Sequence, residues 1–384
     1  MRVRVATLNV WGLPEPFSRR PSQRLDAIAN RLSSLPVDAV AFQEVWTPHA
    51  RRVLHEAGSD AGFAHVWYND ASLGGSGLLV ASRLPIAEAR FERYALRGLP
   101  QRVMQGDYFG GKGFVRLRLS TPSGPISLID THLQARYSAD VPHEYLAHRT
   151  GQVVQLALNA RGIDEPLVIL GDFNFREGQP EHRILTGLTG LRDVAAELDR
   201  RTPTIARSNP YRGDSGKPDR RVDFVFARDG RDRGLVARSV EAAFDETFLL
   251  DGEPSSYSNH AGVMADLEIS RSGSAEPPRL PQAAAVELAR KVLRAGRREA
   301  EARRRGGRAW AGAGVGCATL VALGQRRMAK VGRRRLLRTG LQAGALLALT
   351  PSVGFSILSE LFVPSEIQAY DALLKHLDAH DLAA

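Results

Sequence analysis

The sequence reads as an α/β (α+β) chain in which packed β-sheets are flanked by helices. Three observations carry this. Short apolar runs bounded by turn residues recur through the first 270 residues, helical patterns are fewer, and the strict strand–helix alternation of a doubly wound parallel sheet is missing. The chain opens on the β-branched run Arg2-Val3-Arg4-Val5, continuing to Val10, which is expected as a buried strand. Pro21-Ser22 then starts a helical pattern with Leu25, Ile28, Ala29, Leu32 and Leu35 on one face. Further strands are expected at 39–43, 77–82, 113–119, 125–132, 166–171, 221–227 and 263–269, and the clearest later helix at 144–160.

The chain has 384 residues and a single cysteine, Cys317, so an intramolecular disulfide and a cysteine-based zinc site are both excluded. Its formal charge of +10 is unevenly placed: residues 1–270 carry 33 basic and 33 acidic side chains, and residues 271–384 carry 19 and 9. A neutral front part speaks against nucleic acid as a partner, while the basic tail suits an acidic one. No apolar core with a small-residue cleavage site comes first, so no signal peptide is expected and the front domain is expected on the cytoplasmic side.

The expected organisation is a catalytic domain at 1–270, a linker at 271–281, a basic juxtamembrane segment at 282–308, two apolar membrane-associated segments within 309–363, and an acidic tail at 364–384. Residues 309–325 and 339–359 contain no charge at all. The second run, extended to Val363, is long enough to cross a hydrocarbon core of ~30 Å. Gly312 and Gly316 would let a second helix approach closely. A helical hairpin held to the membrane is therefore expected, with its arginines on anionic headgroups.

The chemistry-bearing residues sit at the ends of apolar strands. Asn9 and Trp11 end the first, Glu44 and Trp46 the next. Asp130 and His132 follow 126–129, Asp172 and Asn174 follow 167–170, and Asp223, Asn259 and His260 complete the set. Strand ends converge at a sheet edge, so these side chains can meet over one site. Glu44, Asp172 and the amide oxygens of Asn9 and Asn174 are hard donors that suit Mg²⁺ or a similar ion such as Mn²⁺. His132 and His260 offer a base near neutral pH and a donor to a developing oxyanion, and Asp223 can orient one imidazole. Metal, base and anion stabiliser together fit hydrolysis of a phosphate ester.

In this order, the segments resemble the endonuclease/exonuclease/phosphatase superfamily, which implies a four-layer sandwich of two mixed sheets between helices. The stretches 106–112, 132–137 and 145–149 further resemble the magnesium-dependent neutral sphingomyelinases, and 349–354 is similar to the second membrane segment of their membrane-anchored type. The resemblance implies Glu44 as the principal magnesium ligand with Asn9 beside it. Asp172 and Asn174 would hold the phosphate and the attacking water, or a second ion. His132 would stabilise phosphoryl oxygens, and His260 would be the general base oriented by Asp223. Asp107 and Lys112 would form a loop pair controlling access to the site. Asn259 stands where the family usually has an aspartate, which removes a charge that could support a second cation.

The implied activity is a phospholipase C-type phosphodiesterase acting on sphingomyelin or a choline lysophospholipid in a phospholipid or sphingolipid membrane. Trp11, Trp46, Tyr108, Phe109 and Tyr137 are candidates for a choline cage. A nuclease on the same fold and a catalytically silent membrane adaptor are the alternatives.

Overall fold

The computed structural model describes residues 1–69, 75–138, 141, 143–212, 216–270, 282–329 and 353–381. Two compact units emerge. One comprises Met1–Gly98 and Met104–Ala289, the other Leu99–Val103 and Arg290–Ala384.

Two six-stranded mixed sheets form the first unit. The first sheet contains β1 (Arg2–Asn9), β2 (Ala39–Gln43), β3 (His65–Tyr68) and β4 (Leu79–Ser82), completed by β11 (Gly234–Ala243) and β14 (Gly262–Ser270). Its order is β11-β14-β1-β2-β4-β3. The second contains β5 (Ile86–Arg93), β6 (Gly113–Leu119), β7 (Ile126–His132) and β8 (Leu167–Asp172), with β9 (Arg192–Asp193) and β10 (Asp223–Arg228). Its order is β5-β6-β7-β8-β10-β9. A separate hairpin joins β12 (Thr247–Leu250) to β13 (Glu253–Ser256).

The sheets pack face to face through a core that takes Val3, Val5 and Ala41 from one side and Leu117, Leu128, Val168 and Val225 from the other. The outer face of the first sheet, with Leu8, Val40 and Phe42, packs against Leu25, Ile28 and Leu32 of α1 (Pro21–Leu32) and Leu54 of α2 (Pro48–Asp60). On the outer face of the second, Phe224 and Phe226 stack near His182 of α4 (Pro180–Thr189), which packs on α3 (Leu146–Arg161). The result is the expected four-layer sandwich. Central strands buried on both faces read in sequence as unbroken apolar runs.

Strand polarity explains how the site forms. β1 and β2 are parallel, as are β7 and β8, so the four C-terminal ends come to one edge. β10 is antiparallel to β8 and places Asp223 opposite Asp172 at its start. β14 is antiparallel to β1 and brings its leading residues, just after His260, to the same edge.

In the second unit the long helix α6 (Ala283–Ala329) continues from Arg290, and a π-helical turn (Leu358–Phe362) leads into α7 (Val363–Asp381). Arginines of α6 pair with carboxylates of this second segment: Arg290 with Asp378 at 2.9 Å, Arg297 with Asp371 at 2.5 Å, Arg303 with Glu366 at 2.6 Å, and Arg308 with Glu360. These four of the arginines expected to face headgroups are thus paired within the chain. Among the described residues no helix is long and apolar enough to cross a membrane. The linker at 271–281 and most of the second apolar run, 339–352, lie outside the described residues.

Candidate active site

Asn9, at the end of β1, is the hub. Its Nδ2 donates to Glu44 Oε1 at 3.0 Å and to Asp172 Oδ2 at 2.9 Å, while its Oδ1 accepts from the backbone of Trp11. The amide oxygen expected to face an ion is therefore turned to the main chain, and the nitrogen faces the carboxylates. A second bridge between the sheets runs beneath it, from Gln43 Nε2 to Asp130 Oδ1 at 2.7 Å. Burial pushes the Asp130 carboxyl well above the usual range.

Three residues that follow these strands have left-handed backbones: Trp11 (φ 49°), Glu44 (φ 61°) and Asn174 (φ 52°). Such geometry is costly for a non-glycine residue and persists where surrounding bonds fix it. Here Gly12 N donates to Glu44 O at 3.1 Å, and Asn174 donates from its backbone to Asp172 Oδ1 and from Nδ2 to Leu133 O. Gly171 (φ 137°) has no alternative, since a Cβ there would lie 2.0 Å from Thr131 O.

The base-like pair is complete. His260 Nδ1 lies 2.9 Å from Asp223 Oδ2, and both are buried. Burial alone would lower the His260 pKa, but Asp223, Asp172 and Glu44 outweigh it and carry it up to about 9. His132 shows the opposite behaviour. Burial and the neighbouring Lys112 hold it well below its ordinary value, so the ring is neutral. Its Nε2 lies 3.0 Å from Lys112 Nζ and 3.5 Å from Asp172 Oδ2.

Lys112 spends its three donors on Asp107 Oδ1 (2.7 Å), His132 Nε2 and Leu133 O (3.0 Å). The Asp107–Lys112 pair is thus buried and directly behind His132. Asp107 Oδ2 also accepts from Gln134 Nε2 at 2.5 Å and Tyr137 OH at 2.7 Å. The stretch 145–149 braces this arrangement, because Arg149 bonds Glu181 at 2.8 Å and reaches Gln134 O at 3.4 Å. Asn259 is half-buried beside His260, its Oδ1 accepting from Ser258 Oγ at 3.3 Å.

Ligand atoms of Glu44, His132 and Asp172, and again of Asp172, Asp223 and His260, lie within 4.8 Å of one another. These residues fit a divalent cation. Asp172 is pushed up to about 6 by burial and by Asp223, and Asp223 Oδ1 is buried with no hydrogen-bond partner among the described residues. A positive ion beside Glu44 and Asp172 would relieve that crowding of negative charge.

The aromatic candidates do not form one cage. Trp46 lies 6.4 Å from the His132 ring and rests against the Cα of Gly110, on the loop that carries Tyr108 and Phe109. Phe109 and Tyr137 are 54% and 44% exposed, and Tyr137 OH is held by Asp107 Oδ2 at 2.7 Å. Trp11 is different: its ring is engaged by Tyr211 at 5.4 Å and by the Arg24 guanidinium at 4.8 Å. Arg24 is fully buried and has no counterpart in the strand-end pattern. The available signal was a charge beside Leu25 and one turn before Ile28, on the apolar side of a helix.

Comparison with known proteins places this site in context. Residues 6–260 match the model of the Endonuclease/Exonuclease/phosphatase family. A Drosophila melanogaster protein provisionally named a neutral sphingomyelinase is 30% identical over 277 residues, 70% of this chain and 61% of that one. The inositol phosphosphingolipids phospholipase C of Schizosaccharomyces pombe is 32% identical over 196 residues, 50% of this chain and 46% of that one. The match thus spans about half to three-fifths of these relatives' length. A crystal structure of a mutant Staphylococcus aureus beta toxin with bound magnesium ions superposes with a TM-score of 0.53 at 19% identity, over 69% of this chain and 99% of that one, a likeness of fold.

Proposed function

The chain belongs to the endonuclease/exonuclease/phosphatase family, and from that premise we propose that it is a metal-dependent phosphodiesterase of the phospholipase C type acting on a sphingolipid. One observation carries the chemistry: a carboxylate pair, Glu44 and Asp172, faces two buried imidazoles whose protonation is driven in opposite directions. Such divergence is how one site assigns a base and a neutral hydrogen-bonding partner. The relatives named above supply the substrate class.

Glu44 and Asp172 would hold Mg²⁺, whose charge stabilises the oxygens around phosphorus as the ester breaks. Asn9 fixes the spacing of the two carboxylates. His260 is the residue that would take a proton from water. Asp223 holds Nδ1 so that Nε2 is the accepting atom. Neutral His132, kept in place by Lys112, lies on the side of the phosphoryl oxygens, and Asn174 with Asp172 positions the water. The Asp107–Lys112 pair sets access through the loop it closes. Trp46, Tyr108, Phe109 and Tyr137 form the headgroup side.

Membrane contact is assigned to the second unit, where Trp310, Leu320, Leu323 and Leu361 are at least half exposed. Release of a soluble phosphorylated headgroup from vesicles tests the reading. Sphingomyelin, a choline lysophospholipid and an inositol phosphosphingolipid would be compared with single-stranded DNA. Magnesium-dependent release from a sphingolipid is expected; turnover of DNA alone would assign a nuclease, and no turnover of any would assign an adaptor.

A further inference from the structure

We infer that Arg24 is a positioning residue that locks the metal-side loop to the base-side loop of this site, an inference that rests on the phosphodiesterase reading above. Its guanidinium is fully buried, and its hydrogen bonds among the described residues all go to main-chain carbonyls. One acceptor, Arg19 O (2.8 Å), lies just before its own helix. Two others, Val10 O and Trp11 O, both at 2.8 Å, belong to the turn that follows Asn9. The fourth, Tyr257 O at 3.0 Å, begins the segment that carries His260.

Three of the N–H donors of one planar group are thus divided between the two halves of the chemistry, while a fourth is anchored at Arg19 O. The group is clamped by Trp11 at 4.8 Å and Tyr211 at 5.6 Å. The loop of Tyr211 grips the same segment, since Asn209 Nδ2 donates to Ser258 O at 2.8 Å and Ala261 N to Thr204 O at 2.7 Å. A lysine keeps the charge but not the fork, so it cannot span both loops.

The distance that catalysis must fix is that between the carboxylate pair anchored by Asn9 and the His260 imidazole. Arg24 hydrogen-bonds to neither, so its loss is expected to change the alignment of the reacting groups rather than binding. A misplacement of about 1 Å in such an arrangement costs about 100-fold in rate.

The test uses the full chain with Arg24→Lys and Arg24→Ala, steady-state kinetics on the hydrolysed lipid, and amide hydrogen exchange read by mass spectrometry. For Arg24→Lys, kcat is expected to fall on the order of 100-fold with KM within about threefold. Exchange should quicken at both 10–12 and 257–261, while helix α1 stays protected. Millimolar methylguanidinium should restore part of the kcat of Arg24→Ala. Faster exchange with unchanged kcat, or a fall in kcat with neither segment loosened, overturns the inference. A loss that methylguanidinium does not reverse, matched by loss of α1 protection, reduces Arg24 to a folding role and also overturns it. If the unmutated chain hydrolyses no phosphodiester, the functional reading fails instead, and the exchange pattern by itself decides whether Arg24 couples the loops.

Discussion

Asn9 Nδ2 and Asp172 Oδ2 lie 2.9 Å apart, and the bond between them joins the two sheets at the edge where the reacting groups collect. Because the same nitrogen also reaches Glu44 Oε1, one amide sets the spacing of two carboxylates from different sheets. Asn9→Ala should weaken Mg²⁺ or Mn²⁺ binding by about 10- to 100-fold, as loss of a ligand-orienting group does. Isothermal titration with Mn²⁺ measures this; an unchanged affinity would show that the carboxylates hold their places unaided.

Metal affinity should depend on pH through Asp172. Its folded pKa of about 6 lies above the ordinary 3.8, because burial and Asp223 disfavour the charge. The metal-free protein therefore keeps its full stability from this group at low pH and loses it as pH rises through about 6, where the carboxylate is forced to ionise. The ion binds the ionised form, so it should raise the melting temperature more at pH 7.5 than at pH 5. Equal increments at the two values would remove Asp172 from the ligand set.

The Asp223–His260 pair should set the acid limb of the activity profile. Asp223 is the largest of the groups that raise His260, so Asp223→Asn should move that limb to lower pH while lowering kcat about 10²- to 10⁴-fold. His260→Ala should remove the limb with the activity. A pH–rate profile in which Asp223→Asn shifts the limb upward would contradict the assignment.

Asp193 and Arg221 pair at 2.6 Å behind the site, and Asp193 also caps the short helix α5 (Val194–Glu197). Although burial opposes it, bonding from His182 and Arg221 draws the Asp193 pKa down to about 2. That stability is present above 3.8 and lost as pH falls through about 2. Asp193→Asn should cost about 3 kcal/mol at neutral pH by leaving Arg221 partly uncompensated, measurable by urea unfolding.

Much of this architecture is legible in the chain. Central strands announce themselves as apolar runs, and the polar residues at their ends, Asn9, Glu44, His132, Asp172 and Asp223, are where the structure gathers them. The edge strand Ile86–Arg93 is not legible, because most of its side chains face solvent and no apolar run marks it. Arg24 is hidden for another reason: its partners are backbone carbonyls, which leave no trace in residue type. The same holds for the orientation of the Asn9 amide, which residue identity leaves open and the Trp11 N–H decides. The tail reads as basic, and several of its arginines pair with acids some 50 to 90 residues further on, a pairing that only the folded helices show.

The central claim is that water attacks phosphorus with the assistance of Glu44 and His260. Hydrolysis of sphingolipid vesicles in heavy-oxygen water, followed by mass spectrometry of both products, tests it most directly. One heavy oxygen is expected in the released phosphorylated headgroup and none in the lipid alcohol, with magnesium required and with Glu44→Gln and His260→Ala silent. Label in the lipid alcohol, or release by either variant equal to that of the unmutated chain, would contradict it.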